Sequence, residues 1–518
     1  MDVIKKLNIL KTDFNNDEVV TQCKMVAREF HQQNQQLFEF SSILNIDDHA
    51  ELNCLIFDLF EKNGFNEELK LNLLSVLRLL SRDRKLVLSI KDIGKCIQIF
   101  VKYFQGQDTH GNNVENDCVI EVLRCICNWV YHSKPVRDFL LKIKLAENLI
   151  KNMKTFILND HLYFKLRLIF LMSAHENEFR LAMVECSAMS LMLQIIQKII
   201  SQAKNSNHVM DAQGCKIFCE VFRASFNITL ALQECSSDGT IESCSSLVLC
   251  CTEVLHLDLH KNAPEDILTP IVHLMVNLPK ACLEKLCPPV STENTESLVN
   301  DQKVFKEHDM TSVIILLKEL RERIKIQDYS KMKEKTMAIL IAFSYICRDV
   351  PLMRKYLRGE VLPPLSITKE RPEERQDACG DIVRLMTTVD VMLKNMAADF
   401  LFVLCKENTE RLIRYTGYGN SAGFLATRGL MVPGRHIDGD YSEDELTDVD
   451  DEQVDVTTGA MKEEKPSPLD SMTEEEKEIE AEKLMHMFER LKELNAIKPM
   501  TVTKDGKLVE FTGPKDDE

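Results

Sequence analysis

One short pattern recurs five times in the first half of this chain and limits what the chain can fold into. Each copy has two mostly apolar residues followed by a basic residue, and successive basic residues lie 46, 43, 56 and 50 positions apart. Only 17 Gly and 15 Pro interrupt the chain, which favours helices over an all-β fold with its frequent turns. The copies are Val76-Leu77-Arg78, Val122-Leu123-Arg124, Lys165-Leu166-Arg167, Val221-Phe222-Arg223 and Ile271-Val272-His273.

The size and composition of the chain agree with an array of helical repeats. At 518 residues it exceeds the length at which a single hydrophobic core stops growing. Apolar residues make up 45% of it, which is enough for an extended core. Repeats of about 40–47 residues are typical of armadillo and HEAT proteins, whose helices stack into a solenoid. We therefore predict an all-α, armadillo/HEAT-like helical-repeat solenoid over residues 1–425.

A second set of positions lies four residues after each basic residue of the pattern. Residues i and i+4 share a helix face, and equivalent helices of a solenoid line its concave side. Several repeats would thus present a basic residue and then an Arg or Asn on one surface, which predicts a ladder of polar groups along a groove, although an isolated Asn or Arg is often simply solvated or caps a helix. Asn128 and Asn227 favour the ladder, because each lies in an apolar segment where an amide needs a partner. The five positions are Arg82, Asn128, Leu171, Asn227 and Asn277.

The charge is concentrated at the C-terminal end. The net charge is −17, and residues 436–518 carry 26 acidic and 10 basic residues, which leaves a balance of −1 for residues 1–435. A nucleic-acid partner needs clustered Lys and Arg, so we expect none. We expect the 18 Cys, most of them in apolar runs, to be reduced thiols. With neither a signal peptide nor an apolar run long enough to span a bilayer, the sequence predicts a cytoplasmic protein.

Two stretches of the chain partly match motifs for covalent chemistry, metals or cofactors, and each lacks an essential residue. Residues 417–423 are rich in Gly and predict a flexible turn, but they lack the Gly-Lys-Ser/Thr ending of a P-loop. His256 and His260 have helical spacing, yet no Glu follows the first His as a zinc protease requires. We therefore predict no enzyme active site, no metal site and no cofactor.

An acidic segment separates the predicted solenoid from the C-terminus. Residues 438–455 contain ten acids and no base, which predicts a disordered stretch within a flexible linker over residues 426–470. Ser442 and Thr447 each have acidic residues at +1 and +3. That arrangement suits an acidophilic kinase of the casein kinase II type, although such matches also occur by chance. Phosphate there would add charge and strong hydrogen-bond acceptors.

One amphipathic helix is predicted within residues 471–498, and residues 499–518 are predicted to be disordered. Thr473 and Glu476 form a capping box, and acids fill the first turns as the helix dipole favours. A helix of this kind on a tether is either a docking element for a partner or a latch that packs on its own chain. Its apolar residues, at helical spacing, are Leu484, Met487, Phe488, Leu491 and Leu494.

Several stretches of the chain resemble the synembryn family (resistance to inhibitors of cholinesterase). The resemblance runs from about Leu71 to about Met500 and is most specific in residues 380–431. The stretches that carry it include residues 400–405, 414–420, 422–423, 428–431, 441–445, 472–476, 80–84, 361–365 and 277–279.

The resemblance implies a cytosolic chaperone and guanine-nucleotide exchange factor for the α subunits of heterotrimeric G proteins (Gα). The concave groove would grip the C-terminal helix of GDP-bound Gα and draw it out of place. GDP would then leave, and nucleotide-free Gα would be held until GTP binds. Recruitment to the cell cortex or plasma membrane would occur through Gα. The alternative is an armadillo-type scaffold or transport adaptor that has no exchange activity.

The resemblance also implies which residues take part. Arg78, Arg82 and Asn128 match contacts of the family with the Gα tail, and Asn227, Arg384 and Lys394 extend the set. The helix from Thr473 would clasp the Gα switch region, and Ser442 and Thr447 correspond to the acidic site that the family phosphorylates. This chain departs from the family between Asp455 and Pro466, where it is shorter and keeps only the end of the usual linker.

Overall fold

The structure is a computed structural model of the whole chain. It describes residues 8, 16–40, 42–62, 66–107, 111, 116–232, 238–259, 266–290, 303–363, 370–431, 454–461, 472–494, 500–502 and 508–510. Ser442, Thr447 and most of the linker predicted over residues 426–470 lie outside these ranges.

Helices dominate the described residues, as the sequence predicts. The first half has α1 Asp17–Asn34, α2 Ile46–Phe60, α3 Glu67–Leu80, α4 Arg84–Leu88, α5 Ile93–Phe104, α6 Asn116–His132, α7 Lys134–Lys142, α8 Leu145–Asn152, α9 Asp160–His175, α10 Asn177–Glu185, α11 Ala188–Asn205 and α12 Ala212–Leu232. The second half has α13 Asp238–Leu255, α14 Leu268–Asn277, α15 Lys280–Leu283, α16 Thr311–Ile324, α17 Tyr329–Asp349, α18 Pro351–Val361, α19 Ala378–Met386, α20 Val391–Leu404, α21 Thr409–Thr416, α22 Tyr418–Thr427 and α23 Glu474–Glu493. Two 3₁₀ turns cover Glu284–Leu286 and Pro372–Glu374.

The described strands are two or three residues long and form only two-stranded pairs. The first pair is parallel and joins β1 Val209–Met210 to β2 Asp258–Leu259. The others are β3 Val304–Phe305 with β4 His308–Asp309, β5 Val454–Asp455 with β6 Ala460–Met461, and β7 Met500–Val502 with β8 Leu508–Glu510. These strands join loops and contribute little to the architecture.

The repeating unit is a short helix, a second helix and a longer third helix. The sets α4–α5–α6, α7–α8–α9 and α10–α11–α12 follow this order, which is the three-helix repeat of armadillo proteins. The third helices pack side by side in one row, so that α1, α3, α6, α9, α12, α14, α17 and α20 contact one another in succession. We call this the ladder row. The armadillo/HEAT-like fold predicted from the spacing is confirmed.

Short polar residues begin many of these helices. Asn66 caps α3, Asn159 caps α9 and Asp390 caps α20, each accepting a hydrogen bond from a backbone N–H of the first turn. Such a cap satisfies donors that a helix start otherwise leaves without partners. The buried faces are filled by aliphatic and aromatic side chains, for example where the Phe100 and Trp129 rings stack with centroids 5.0 Å apart. Repeats therefore share one continuous core.

The described cysteines are free thiols, and most of them are buried. Burial raises the pKa of Cys127, on the ladder row, to about 12, so this thiol stays protonated and packs as a small apolar group. No group of three metal-ligating side chains occurs within the part of the chain that the structure describes. In the same residues no single helix is long and apolar enough to cross a membrane, although the bent pair α10 and α11 passes by length and composition.

The glycine-rich stretch after α21 is not the flexible turn that its composition predicts. Tyr418 to Thr427 form α22, and Gly417 is the junction between two helices with φ +77° and ψ 146°. Essentially only glycine adopts that conformation. Phe424 and Leu425 of α22 are buried against the last repeat. The flexible turn predicted from the glycine content is therefore wrong, and the stretch is a packed helix.

The chain divides into a large unit, residues 1–449 and 456–460, and a smaller unit, residues 450–455 and 461–518. The smaller unit contains α23, which starts as the sequence predicts. The Thr473 backbone N–H donates to Glu476 Oε2 at 2.9 Å, and the Glu476 N–H donates to Thr473 Oγ1 at 3.3 Å. The predicted capping box is thus confirmed.

Candidate partner-binding groove

The arginines of three successive repeats each contact the next repeat along the ladder row. Arg78 Nε donates to Glu121 Oε2 at 2.6 Å, and Arg124 Nη1 donates to the other oxygen of the same carboxylate at 2.7 Å. Glu121 lies three residues before Arg124, so one turn of α6 carries both the arginine of its own repeat and the acceptor for the arginine before it. The carboxylate fixes the spacing of the two guanidinium groups.

The same arrangement recurs two repeats further on. Glu220 is fully buried, and its Oε1 accepts from Arg167 Nη1 at 3.0 Å and from Arg223 Nη1 at 2.7 Å. Between these two pairs the equivalent position is Phe164, and the Arg124 guanidinium lies over its ring at 4.8 Å from the centroid. Arg78, Arg124 and Arg167 therefore each pack on the residue three positions before the next basic residue of the pattern, which confirms the alignment of these repeats.

The asparagines of the ladder make a second contact between repeats, in the opposite direction. Asn128 donates to Ser81 Oγ at 2.8 Å, and Asn277 donates to the carbonyl oxygen of Phe226 at 3.3 Å. Asn227, which is buried, donates to the Phe170 carbonyl and to Ser173 Oγ, both at 3.1 Å. Their amide nitrogens thus join neighbouring helices. The partner that a buried amide needs is supplied for Asn227 within the chain.

Arg82 does not lie on the helical face from which it was predicted. It follows the end of α3, and its Nη1 donates to the backbone carbonyls of Gln35 at 2.7 Å and Leu37 at 3.3 Å. Its guanidinium lies 5.3 Å from the centroid of the exposed Phe38 ring. Burial and the neighbouring Arg78 lower the pKa of Arg82 from its usual range, as expected where guanidinium groups are crowded.

Five arginines from four successive repeats line one cavity of about 430 Å³ on the ladder row, which we call the arginine cavity. Their guanidinium groups outnumber the carboxylates of Glu121 and Glu220 that hold them, so the cavity attracts anions within an otherwise neutral body. Aromatic rings beside the arginines offer apolar contact as well. The cavity is lined by Arg78, Arg82, Arg124, Cys127, Asn128, Tyr163, Phe164, Arg167 and Arg223.

His31 lies at the edge of this cluster, with Nε2 2.7 Å from Arg78 Nη2. A guanidinium only donates hydrogen bonds, so the ring nitrogen is the acceptor and the imidazole is neutral. Burial and the charge of Arg78 both lower the pKa of His31. The ring therefore orients Arg78 without adding a further positive charge near neutral pH.

A second cavity of about 380 Å³ adjoins the first and shares Arg223 with it. It is less basic, because Asp266 and Glu334 line it together with Lys335. Burial raises the pKa of Asp266, but the nearby Arg323 and bonds from Thr269 and Lys335 outweigh that effect, and the net shift is downward. Phe170, Phe226, Asn227, Thr269, Pro270 and His273 complete the lining. Together the two cavities form a groove whose character changes from cationic to mixed.

Two predicted partner contacts lie elsewhere. Arg384, on α19, donates to the carbonyls of Glu373 at 2.9 Å and Arg375 at 2.8 Å and pairs with Asp381, so it holds a loop of its own repeat. Lys394, on α20, lies against α22, its Nζ 3.2 Å from where a β-carbon on Gly423 would stand. Neither residue lines the arginine cavity or its neighbour.

The tail helix presents the apolar face that its spacing predicts. Leu484, Met487 and Phe488 are more than half exposed on α23, and Leu491 is partly exposed. Large exposed apolar side chains at helical spacing are typical of a segment that docks in a groove of another protein.

The repeat pattern places Arg124, Arg167 and Arg223 on the ladder surface but does not single them out as partner contacts. It gives no role to Glu121 and Glu220, although each stands three residues before such an arginine. Only the packing of adjacent helices shows that a carboxylate one repeat away orients them.

Stacked three-helix repeats with an anion-attracting groove define the class of armadillo-like proteins that bind other proteins. Comparison with known proteins identifies the family within this class. The family model described as "Guanine nucleotide exchange factor synembryn" matches residues 73–507. The chain is 32% identical over 519 residues to "Chaperone Ric-8A" of Xenopus laevis, covering 94% of this chain and 92% of the relative. It is 31% identical over 503 residues to "Chaperone Ric-8A" of Bos taurus, covering 93% and 92%. The chain belongs to the synembryn family.

Two solved structures that align with this chain are an engineered protein and a designed armadillo repeat protein. One engineered protein aligns over 83% of this chain and 92% of its own length, with a TM-score of 0.46 and 13% sequence identity. A designed armadillo repeat protein in complex with the peptide (KR)4 aligns over 61% of this chain and its full length, with a TM-score of 0.35 and 13% identity.

The asparagine contacts predict a difference in stability between two matched substitutions. Asn227→Ala removes two hydrogen bonds from a buried position, each worth about 0.5–1.5 kcal/mol, so we expect a loss of about 1–3 kcal/mol. Asn128→Ala removes one bond to Ser81 in a partly exposed place, and we expect a loss below about 1 kcal/mol. Urea unfolding followed by circular dichroism measures both free energies of unfolding. Equal losses would contradict the assignment of Asn227 as the stronger contact between repeats.

Proposed function

We propose that this chain is a guanine-nucleotide exchange factor and folding chaperone for the α subunits of heterotrimeric G proteins. Its membership of the synembryn family supports the exchange role, and the name of its Ric-8A relatives supports the chaperone role. The observation that carries the proposal is the arginine cavity, which four successive repeats build at one place on the ladder row. It is a site for gripping a partner and needs no covalent chemistry.

The C-terminal end of a helix suits this cavity for electrostatic reasons. The last carbonyl groups of a helix carry a partial negative charge, and a chain terminus adds a full carboxylate. Several guanidinium groups held by Glu121 and Glu220 supply charge-assisted donors for both. The rings of Phe164 and Phe170 offer apolar contact to side chains of the same helix. The C-terminal helix of Gα is the segment that we place here, with its end in the arginine cavity.

Gripping that helix accounts for exchange through binding energy alone. A protein that binds nucleotide-free Gα more tightly than GDP-bound Gα shifts the population toward the empty form, and GDP leaves. The helix is drawn away from the nucleotide site, and the empty subunit is held until GTP binds. The same grip shelters newly made Gα before it has nucleotide. We place this activity in the cytoplasm, with recruitment to the cell cortex or plasma membrane through Gα.

The tail helix supplies a second contact in this proposal. Its exposed apolar side chains clasp the switch region of Gα while the groove holds the C-terminal helix. The acids in the first turn of α23 lie at the positive end of its dipole and stabilise it as an isolated helix. Holding Gα at two places raises the affinity above that of either contact alone.

The competing function is an armadillo-type scaffold that binds Gα or another partner without affecting nucleotide. The rate of GDP release from purified Gα separates the two. We expect acceleration by the full chain, and binding without acceleration would favour the scaffold.

The groove assignment predicts the effect of removing two guanidinium groups. Arg78→Ala with Arg82→Ala removes charge-assisted donors worth about 1.5–3 kcal/mol each, so affinity for a Gα C-terminal peptide should fall at least tenfold. Isothermal titration calorimetry on the full chain measures it. GDP release from Gα should slow in parallel.

The matched control removes two positive charges away from the groove. Lys142 ends α7 and Arg180 lies on α10, helices outside the ladder row. Lys142→Ala with Arg180→Ala changes the net charge by the same amount and should leave peptide affinity within about twofold. If the two double variants bind the peptide alike, the arginine cavity is not the site.

Phosphorylation of the acidic segment is part of the proposal. Ser442 and Thr447 lie among acids that suit a casein kinase II type enzyme, and the family resemblance points to the same two hydroxyls. Each phosphate would add nearly two negative charges and strong acceptors for arginine side chains.

We expect Ser442→Ala with Thr447→Ala to lower the exchange activity of kinase-treated protein, because the added charges are then absent. The measurement is GDP release from Gα by treated wild type and treated variant. Untreated samples of both proteins serve as controls and should release GDP at equal rates. Equal rates after treatment would refute a role for these phosphates.

A further inference from the structure

The chain returns to the last repeat after the acidic segment and caps one of its helices. The backbone N–H of Tyr418 donates to the carbonyl of Val456 at 3.0 Å, and that of Gly419 donates to Thr457 at 3.4 Å. Tyr418 and Gly419 open α22, and the first N–H groups of a helix have no acceptor within it. Gly417 before them offers no side-chain cap, so the turn between β5 and β6 satisfies these donors.

Two glycines make this contact possible. Gly417 and Gly459 are both buried and both have positive φ, +77° and +73°. A β-carbon on Gly417 would stand 2.7 Å from the Thr458 carbonyl oxygen, and one on Gly459 would stand 2.7 Å from the Gly417 nitrogen. These distances are to backbone atoms, which cannot move aside as a flexible side chain can. The two backbones approach to a distance that only glycine permits.

Arg384, which the sequence predicts as a partner contact, supports the loop against which this contact packs. A β-carbon on Gly459 would also stand 3.0 Å from the Pro372 ring, in the 3₁₀ turn. Arg384 donates to the carbonyl of the adjoining Glu373, and Asn420 of α22 donates to the Glu373 carboxylate, both at 2.9 Å. The 3₁₀ turn Pro372–Glu374, α19 and α22 thus form the surface against which the turn between β5 and β6 packs.

We propose that Gly417 and Gly459 are positioning residues for the C-terminal helix, because their contact pins the tail to the last repeat. With the hairpin docked, the tether to α23 starts at Met461 and has 13 residues before Glu474. Without it, the tether starts at Met431 and has 43. This inference rests on the proposed function, in which α23 makes the second contact with Gα.

Tether length sets how often the helix meets a Gα that the groove already holds. Fully extended, 13 residues reach at most about 45 Å and 43 residues about 150 Å. Effective concentration falls roughly as the −3/2 power of tether length, so losing the contact lowers it about sixfold.

The test compares two glycine substitutions on opposite sides of the acidic segment. Gly459→Ala places a methyl group against the Gly417 backbone, whereas Gly429→Ala changes a glycine of similar φ, +66°, that has nothing within 4 Å. Both variants place a side chain at positive φ, and the close contact distinguishes them. Amide hydrogen exchange of the peptide that contains Tyr418 and Gly419 reports docking of the hairpin. Protection should be lost in Gly459→Ala and kept in Gly429→Ala.

The functional readout uses full-length protein and purified Gα. Gly459→Ala should bind the isolated Gα C-terminal peptide as wild type does and bind nucleotide-free Gα about sixfold more weakly. A third variant inserts 30 Gly/Ser residues after Met461, which lengthens the tether to 43 residues and leaves the glycines intact. It should keep amide protection and lose the same affinity as Gly459→Ala.

The outcomes separate this inference from the function it rests on. If wild type neither binds Gα nor speeds GDP release, the proposed function fails first. If wild type does both and the insertion variant binds nucleotide-free Gα as tightly as wild type, tether length is irrelevant and the inference is overturned. Protection of Tyr418 and Gly419 that survives in Gly459→Ala would overturn it equally.

Discussion

The groove depends on one polar contact that recurs from repeat to repeat. An arginine on each third helix packs against the residue three positions before its counterpart in the next repeat, a carboxylate in two of the three cases described. Glu220 is fully buried, and its two partly exposed arginine partners compensate a charge that is costly to bury alone. The same bonds that fix the stacking of the helices also fix the guanidinium groups in the cavity. Fold and site are therefore built by the same residues.

Most of the fold could be predicted from the sequence, because basic residues recur at equivalent positions of the repeats, among apolar residues that recur as well. The positions of Arg78, Arg124, Arg167 and Arg223 aligned the third helices correctly before any packing was known. The capping box at Thr473 defined the start of α23, because a cap is a local interaction. The glycine-rich stretch at Gly417 was misread, because a helix that starts there is stabilised by a hairpin some forty residues away.

The candidate site was predicted in part. Arg78, Arg82 and Asn128 do line one cavity, but the asparagine amide nitrogens bind the neighbouring repeat. A sequence shows that a buried amide needs a partner and does not show whether that partner lies in the same chain. Arg384 illustrates the same limit, because its guanidinium donates hydrogen bonds to backbone carbonyls of its own repeat.

In the proposed function, binding of Gα and release of GDP are parts of one equilibrium. If so, the factor by which this chain weakens GDP binding to Gα must equal the factor by which GDP weakens the binding of this chain. The most direct measurement is the affinity of the full chain for nucleotide-free Gα and for GDP-bound Gα, determined by calorimetry under one set of conditions. We expect the full chain to bind nucleotide-free Gα more tightly than GDP-bound Gα. Equal affinity for the two forms would contradict it.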